Sequence, residues 1–116
     1  MKNIHYTTSL NFTHFINDRD ELVDKACCTP HTHESEIRVV VPIKDYEFLD
    51  FKTVKKATEK ILDDLSDKNI TETHNLGETE KLVEYIAINI GMDLDRRVNV
   101  YIQETKKYGM EYVSNQ

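Results

Sequence analysis

"CCTPHTHESEIRVVVPI", residues 27–43, sets both cysteines and two of the five histidines ahead of a β-branched run. From His31 onward the odd positions are His31, His33, Ser35, Ile37, Val39, Val41 and Ile43, while the even positions include Thr32, Glu34, Glu36 and Arg38. Side chains alternate between the two faces of a strand, so this parity predicts a strand from His31 to Ile43 with one apolar side. Pro42 has no amide hydrogen and marks a strand end or a sheet edge. The His-x-His pair puts both imidazoles on the apolar side, about 6.5–7 Å apart at the backbone, where both can reach one metal ion. Two ordinary histidines in a wet strand-end loop would give the same short pattern.

The neighbouring segments weigh on that choice. From Ile4 to Phe15, Tyr6, Thr8, Leu10, Phe12 and His14 share one parity, which predicts a half-buried strand ending its apolar side in His14. His5 has the opposite parity and is expected to be exposed. A third strand from Arg97 to Thr105 carries Val98, Val100, Ile102 and Glu104 on one side. Three apolar faces thus end in chemically capable groups, which a pocket at one end of the sheet would gather. His14 beside His31 and His33 would complete a three-histidine site with an open position, the form used by catalytic zinc. That match favours the metal reading over the wet loop. Glu104 is either a solvated strand-end charge or an anchor, since a carboxylate accepts two parallel N–H bonds from a guanidine-like edge such as that of a pterin or guanine. Cys27, four residues before His31, is either a thiolate nucleophile or base beside a cationic site, or a small buried hydrophobe.

The middle of the chain reads as helical. Asp50 can cap a helix starting near Phe51, with Phe51, Val54, Ala57, Ile61, Leu62 and Leu65 at helical spacing. The lysines of "KTVKKATEK" form its solvated face. "SDKNITETHNLG" reads as a polar loop, and a second helix runs from Glu78 to Ile90 with Gly91 as its C-terminal cap. Gly109 falls in a turn before "MEYV", a fourth strand in a hairpin. Residues 16–26 form a charged connection. The order β-β-α-α-β-β with alternating strands predicts an α+β fold, an antiparallel four-stranded sheet with two helices on one face.

Composition bounds the function. The chain has 116 residues, expected to form a single domain over 1–116, and 21 acidic against 15 basic residues give a net charge of −6. That argues against general binding to nucleic acid or an anionic membrane. No apolar run approaches the roughly 18–20 residues of a membrane span, and "MKNIHYTTSLNFTHF" lacks the apolar core of a signal peptide. The expected location is cytoplasmic, where thiols stay reduced.

Taken together, these segments resemble the 6-pyruvoyl-tetrahydropterin synthase family, which includes the 6-carboxy-tetrahydropterin synthase of queuosine biosynthesis. "SLNFTHF" resembles the family's first zinc-histidine strand, and "CCTPHTH" its Cys-x-x-x-His-Gly-His segment. "DFKTVKKATEKILDDL" and "ETEKLVEYIAINI" resemble its two helices, with Glu80 at an acidic position, and "VNVYIQETKKYGMEYV" its closing hairpin. The resemblance implies a tunnelling fold whose subunits form trimeric barrels that stack into hexamers, with active sites at subunit interfaces. It implies Zn2+ on His14, His31 and His33, Cys27 as the catalytic thiol, and Glu104 as the pterin anchor. The implied function is that of a lyase acting on 7,8-dihydroneopterin triphosphate. Alternatives are a diverged member with aldolase-like cleavage of dihydroneopterin, and a catalytically silent pterin- or purine-binding protein. The family's Gly between the histidines is Thr32, and its Pro-Thr before the second helix is Gly77-Glu78. Its catalytic Asp-His pair aligns with Ser66 and Asp67. Asp67 itself, His74 folding back, or a shift of the Asp position to Asp63 or Asp64 are the ways this chain could answer that change.

Overall fold

The computed structural model describes residues 1–16 and 29–114. In chain order the elements are β1 (Lys2–His14), β2 (His31–Ile43), α1 (Phe51–Leu65), α2 (Ile70–His74), α3 (Thr79–Leu94), β3 (Asn99–Gln103) and β4 (Gly109–Tyr112). The strands form one antiparallel sheet in the order β1-β2-β3-β4. β1 and β2 pair over their full length, from Lys2 opposite Ile43 to His14 opposite His31.

The parity argument accounts for the core. Ile4, Leu10 and Phe12, then Ile37, Val39 and Val41, then Val98, Val100 and Ile102 are all buried on one face. They pack with Val54, Ala57, Leu62 and Leu65 of α1 and with Leu82, Val83, Ile86, Ala87 and Ile90 of α3. Each Val, Leu, Ile or Phe side chain among them, fully buried, contributes roughly 1.5–3 kcal/mol. The result is the α+β arrangement expected, with the two long helices against one sheet face. The other face is polar, and His5 lies exposed there. Among the described residues, no helix is long and apolar enough to cross a membrane.

Several boundaries differ from the sequence reading. Asp50 does cap α1, accepting from the Lys52 amide at 2.9 Å, but Phe51 is 74% exposed rather than part of the core. It stands in the first turn, at the edge of the apolar stripe. Pro42 marks a strand end and not a sheet edge: β2 is an interior strand, but β3 pairs only with Glu36–Val40 and leaves Pro42 unopposed on that side. The helix expected to stop at Gly91 continues to Leu94, and Asp95 is the left-handed C-terminal cap with φ 52°. Gly91 instead admits the Arg96 carbonyl, which a Cβ there would approach to 3.0 Å. β3 is shorter than residues 97–105. Glu104 and Thr105 both donate to the Tyr108 carbonyl, so Glu104 sits at the mouth of the hairpin, and Gly109 opens β4 rather than lying in the turn.

The polar stretch after α1 is not all loop. Asn69 caps α2, its side chain accepting from the Glu72 amide at 3.3 Å, and Asn75 closes it in the left-handed conformation. The Asn-x-x-Glu spacing at 69–72 is an N-terminal helix signal, here masked by the surrounding polar residues. This turn ties down the end of β1. Asp67 donates to the Asn11 carbonyl, Thr13 donates to the Lys68 carbonyl, and Thr71 Oγ1 bonds both the amide and the carbonyl of Phe15.

Candidate metal centre

The antiparallel register places His14 directly opposite His31, and Phe12 opposite His33. Because His31 and His33 are two apart on one strand, all three imidazoles share a face. Their ring centroids are 4.5 Å (His14–His31), 4.8 Å (His14–His33) and 4.8 Å (His31–His33) apart, with planes steeply inclined. One potential ligand nitrogen from each lies within 4.8 Å of the others. With bonds of about 2.0–2.1 Å at tetrahedral angles, two nitrogens on one zinc ion sit about 3.3–3.4 Å apart, so the rings close in by up to about 1.4 Å to share an ion. The three histidines singled out from strand parity are therefore brought together.

The tautomers suit a metal. A carbonyl can only accept, so His14 Nδ1–H donates to the Gly77 carbonyl at 2.9 Å, and His31 Nδ1–H donates to the Thr29 carbonyl at 2.8 Å. Each ring then carries its lone pair on Nε2, the nitrogen left for the metal. His14 is 4% exposed, and among the described residues neither its Nε2 nor that of His33 has a hydrogen-bond partner. Buried polar atoms in a folded protein are nearly always satisfied, so two orphaned imidazole nitrogens facing one another mark a site for a ligand. Burial is the main cause holding both His14 and His33 below the usual histidine pKa. The Gly77 carbonyl opposes this at His14, and the Glu104 carboxylate opposes it at both. They are neutral near pH 7, as ligands must be. The residues present fit a zinc ion.

Glu104 lies at the same end of the sheet. Its Oε1 is 3.9 Å from His14 Nε2 and 3.8 Å from His33 Nε2, while its Oε2 accepts from Thr79 Oγ1 at 2.9 Å. Thr79 does not stand out in the sequence, and Gly77 stands out only as a departure from the family's Pro. Gly77 matters because a Cβ there would collide with the Phe15 carbonyl and stand 2.7 Å from Thr71 Oγ1. Only a glycine lets this backbone come close enough to orient His14.

The other expected positions divide. Cys27 and Cys28 lie outside the described residues. Thr32, in place of the family glycine, is exposed on the opposite sheet face and bonds Thr13 Oγ1 at 2.9 Å, so its side chain does not enter the pocket. Ser66 is the C-terminal cap of α1, and Asp67 takes a left-handed turn with φ 60°, exposed. Glu80 is exposed in the first turn of α3. His74 pairs with Asp64 and its own neighbour: Nδ1 is 2.6 Å from Thr73 Oγ1, and Nε2 is 2.8 Å from Asp64 Oδ2. That contact is the main cause holding the Asp64 carboxyl below its usual range.

The profile of the 6-pyruvoyl tetrahydropterin synthase family matches residues 3–115. Among solved structures, the 6-pyruvoyl tetrahydropterin synthase of Caenorhabditis elegans superposes with a TM-score of 0.77 at 16% identity, covering 98% of this chain and 96% of that one. A catalytic-residue mutant of the Plasmodium vivax enzyme gives 0.63 at 15% identity, with both chains fully covered. The Plasmodium falciparum enzyme gives 0.59 at 13% identity, covering 97% and 98%. A search of curated proteins by sequence finds no match. At these identities the structural likeness speaks for the fold, and the match over nearly the whole sequence speaks for descent. The chain belongs to the 6-pyruvoyl tetrahydropterin synthase family.

Proposed function

We propose that the chain is a zinc-dependent lyase of the 6-carboxy- or 6-pyruvoyl-tetrahydropterin synthase type, acting on 7,8-dihydroneopterin triphosphate. The observation that carries this reading is the convergence of His14, His31 and His33, with Nδ1 of two rings tied to backbone carbonyls. A zinc ion bound there would polarise the oxygens of the substrate side chain. His14, His31 and His33 would hold the ion, and β1 and β2 fix their positions. Cys27 would move the proton as thiolate, four residues before His31. Glu104 would accept N–H bonds from the pterin edge. Subunits would join through the sheet into a trimeric or hexameric barrel, with sites completed at the interfaces.

A diverged reaction has its own support. The positions of the family's Asp-His pair hold a helix cap and an exposed turn residue, Ser66 and Asp67. The Asp-His pair that this chain does form, Asp64 with His74, has both imidazole nitrogens engaged. A member without that proton relay would suit a simpler cleavage, such as aldol cleavage of dihydroneopterin.

Product analysis discriminates. Turnover of dihydroneopterin triphosphate with loss of triphosphate supports the synthase. Turnover of dephosphorylated dihydroneopterin alone supports the aldolase-like reaction. Binding of either without turnover makes the chain a pterin-binding protein. Full activity in Cys27→Ala would remove the thiol from the mechanism.

A further inference from the structure

His14 and Glu104 turn lone pairs toward one another at the metal site. His14 donates its Nδ1 proton to Gly77, so its neutral ring presents a lone pair at Nε2. Facing that lone pair are the Oε1 of Glu104 at 3.9 Å and, beside it, the Nε2 of His33, which has no hydrogen-bond partner among the described residues and lies 3.8 Å from the same oxygen. These distances are too long for hydrogen bonds, whose N···O separations lie near 2.7–3.2 Å. Two ligand atoms on one tetrahedral zinc ion sit about 3.3–3.5 Å apart, so a shift of about half an ångström brings Oε1 within that span of both nitrogens. Converging lone pairs in a buried place repel one another unless a cation sits among them.

The carboxylate is also held in this pose. Thr79, in the first turn of α3, donates to Oε2 at 2.9 Å and leaves Oε1 turned to the histidines. A carboxylate oxygen accepts more than one hydrogen bond, so Oε2 can keep Thr79 while a guanidine-like edge competes with the histidine cluster for Oε1.

From this geometry we infer that Glu104 is a fourth, oxygen ligand of the metal in the substrate-free protein, with Thr79 as its positioning residue. The inference rests on the three-histidine reading above and extends it. Entry of a pterin then exchanges the carboxylate from the ion to the pterin edge, which opens a coordination position only when substrate is present. The same residue thereby couples recognition to the exposure of the metal.

Zinc affinity, read by competition with a chromogenic chelator on the full chain, tests this. Glu104→Gln keeps the shape of a partly exposed side chain and removes its charge. We expect it to weaken zinc binding by about 10–100-fold. Thr79→Val should weaken zinc binding to a smaller degree, and Thr79→Ser, which keeps the hydroxyl, should restore it. In cobalt-substituted protein, Glu104→Gln should change the visible d–d bands, because a ligand has been altered. Zinc affinity in Glu104→Gln within about twofold of the unaltered chain would overturn the inference and leave the three-histidine site standing. Weaker binding with unchanged cobalt bands would also overturn it, making Glu104 an outer electrostatic partner. Failure of the unaltered chain to take up stoichiometric zinc would remove this inference and the proposed function together.

Discussion

The imidazole of His14 donates to the carbonyl of Gly77, 63 residues further along the chain, at 2.9 Å. This bond fixes which nitrogen of a buried ring faces its neighbours, and it depends on a residue without a side chain. Gly77→Ala should therefore act on both folding and metal binding. Steric crowding against the Phe15 carbonyl and Thr71 is expected to lower stability by about 1–3 kcal/mol, and zinc affinity should fall with it. Urea denaturation with and without zinc measures both. An alanine variant as stable as the unaltered protein, with equal zinc affinity, would mean the approach of residue 77 is not constrained.

The histidines differ by sheet face. His14→Ala, His31→Ala or His33→Ala should each reduce bound zinc, after purification without chelator, to well under half an equivalent. His5 is exposed on the other face of the same strand, and His5→Ala should retain the full complement. Equal loss in the His5 variant would point to adventitious surface binding.

The Asp64–His74 contact joins the last turn of α1 to the end of α2, with Tyr85 of α3 beside the imidazole at a ring separation of 6.0 Å. With both nitrogens engaged, His74 acts as a clasp. His74→Ala should lower the denaturation midpoint only slightly, as exposed ion pairs contribute little, and reduce turnover by less than about tenfold. A hundredfold fall in kcat with unchanged KM would instead make His74 the proton carrier.

At the far end of the sheet, Arg96 forms a two-point contact with Glu47, Nη2 to Oε2 at 2.6 Å and Nη1 to Oε1 at 3.3 Å. The Arg96 guanidinium holds the Glu47 carboxyl at about 2, below the ordinary glutamate value near 4.3. A pKa depressed on folding stabilises the native state above the unfolded value, and that stabilisation is lost as pH falls from about 4.3 toward 2. Denaturation midpoints of the unaltered chain and of Arg96→Gln should differ at pH 6 and converge as pH approaches 2. A constant difference down to pH 2 would contradict this assignment.

The short helix α2 shows how local reading failed beside features that it captured. Strand parity located His14, His31 and His33 because alternation is a property of each strand alone, and a face that is apolar until its last residues marks those residues. The same pattern announced the sheet and the two long helices. Helix α2 was hidden, since its Asn69–Glu72 signal sits among polar residues that fit a loop equally well. The end of α3 was misplaced because glycine signals a cap only when nothing needs the space, and here the Arg96 carbonyl does.

The sequence by itself determined the faces: which side of each strand is buried, that three histidines and Glu104 end those sides, and that two amphipathic helices cover them. Periodicity carries this, because burial repeats every two residues in a strand and about every 3.6 in a helix. Only the tertiary structure decided how the ends meet. The register that sets His14 opposite His31, the Gly77 carbonyl that orients His14, the Thr79 hydroxyl that turns Glu104, and the Asp64–His74 clasp all join residues from separate elements. Such contacts arise from the packing of the helices on the sheet, and no local pattern encodes their partners.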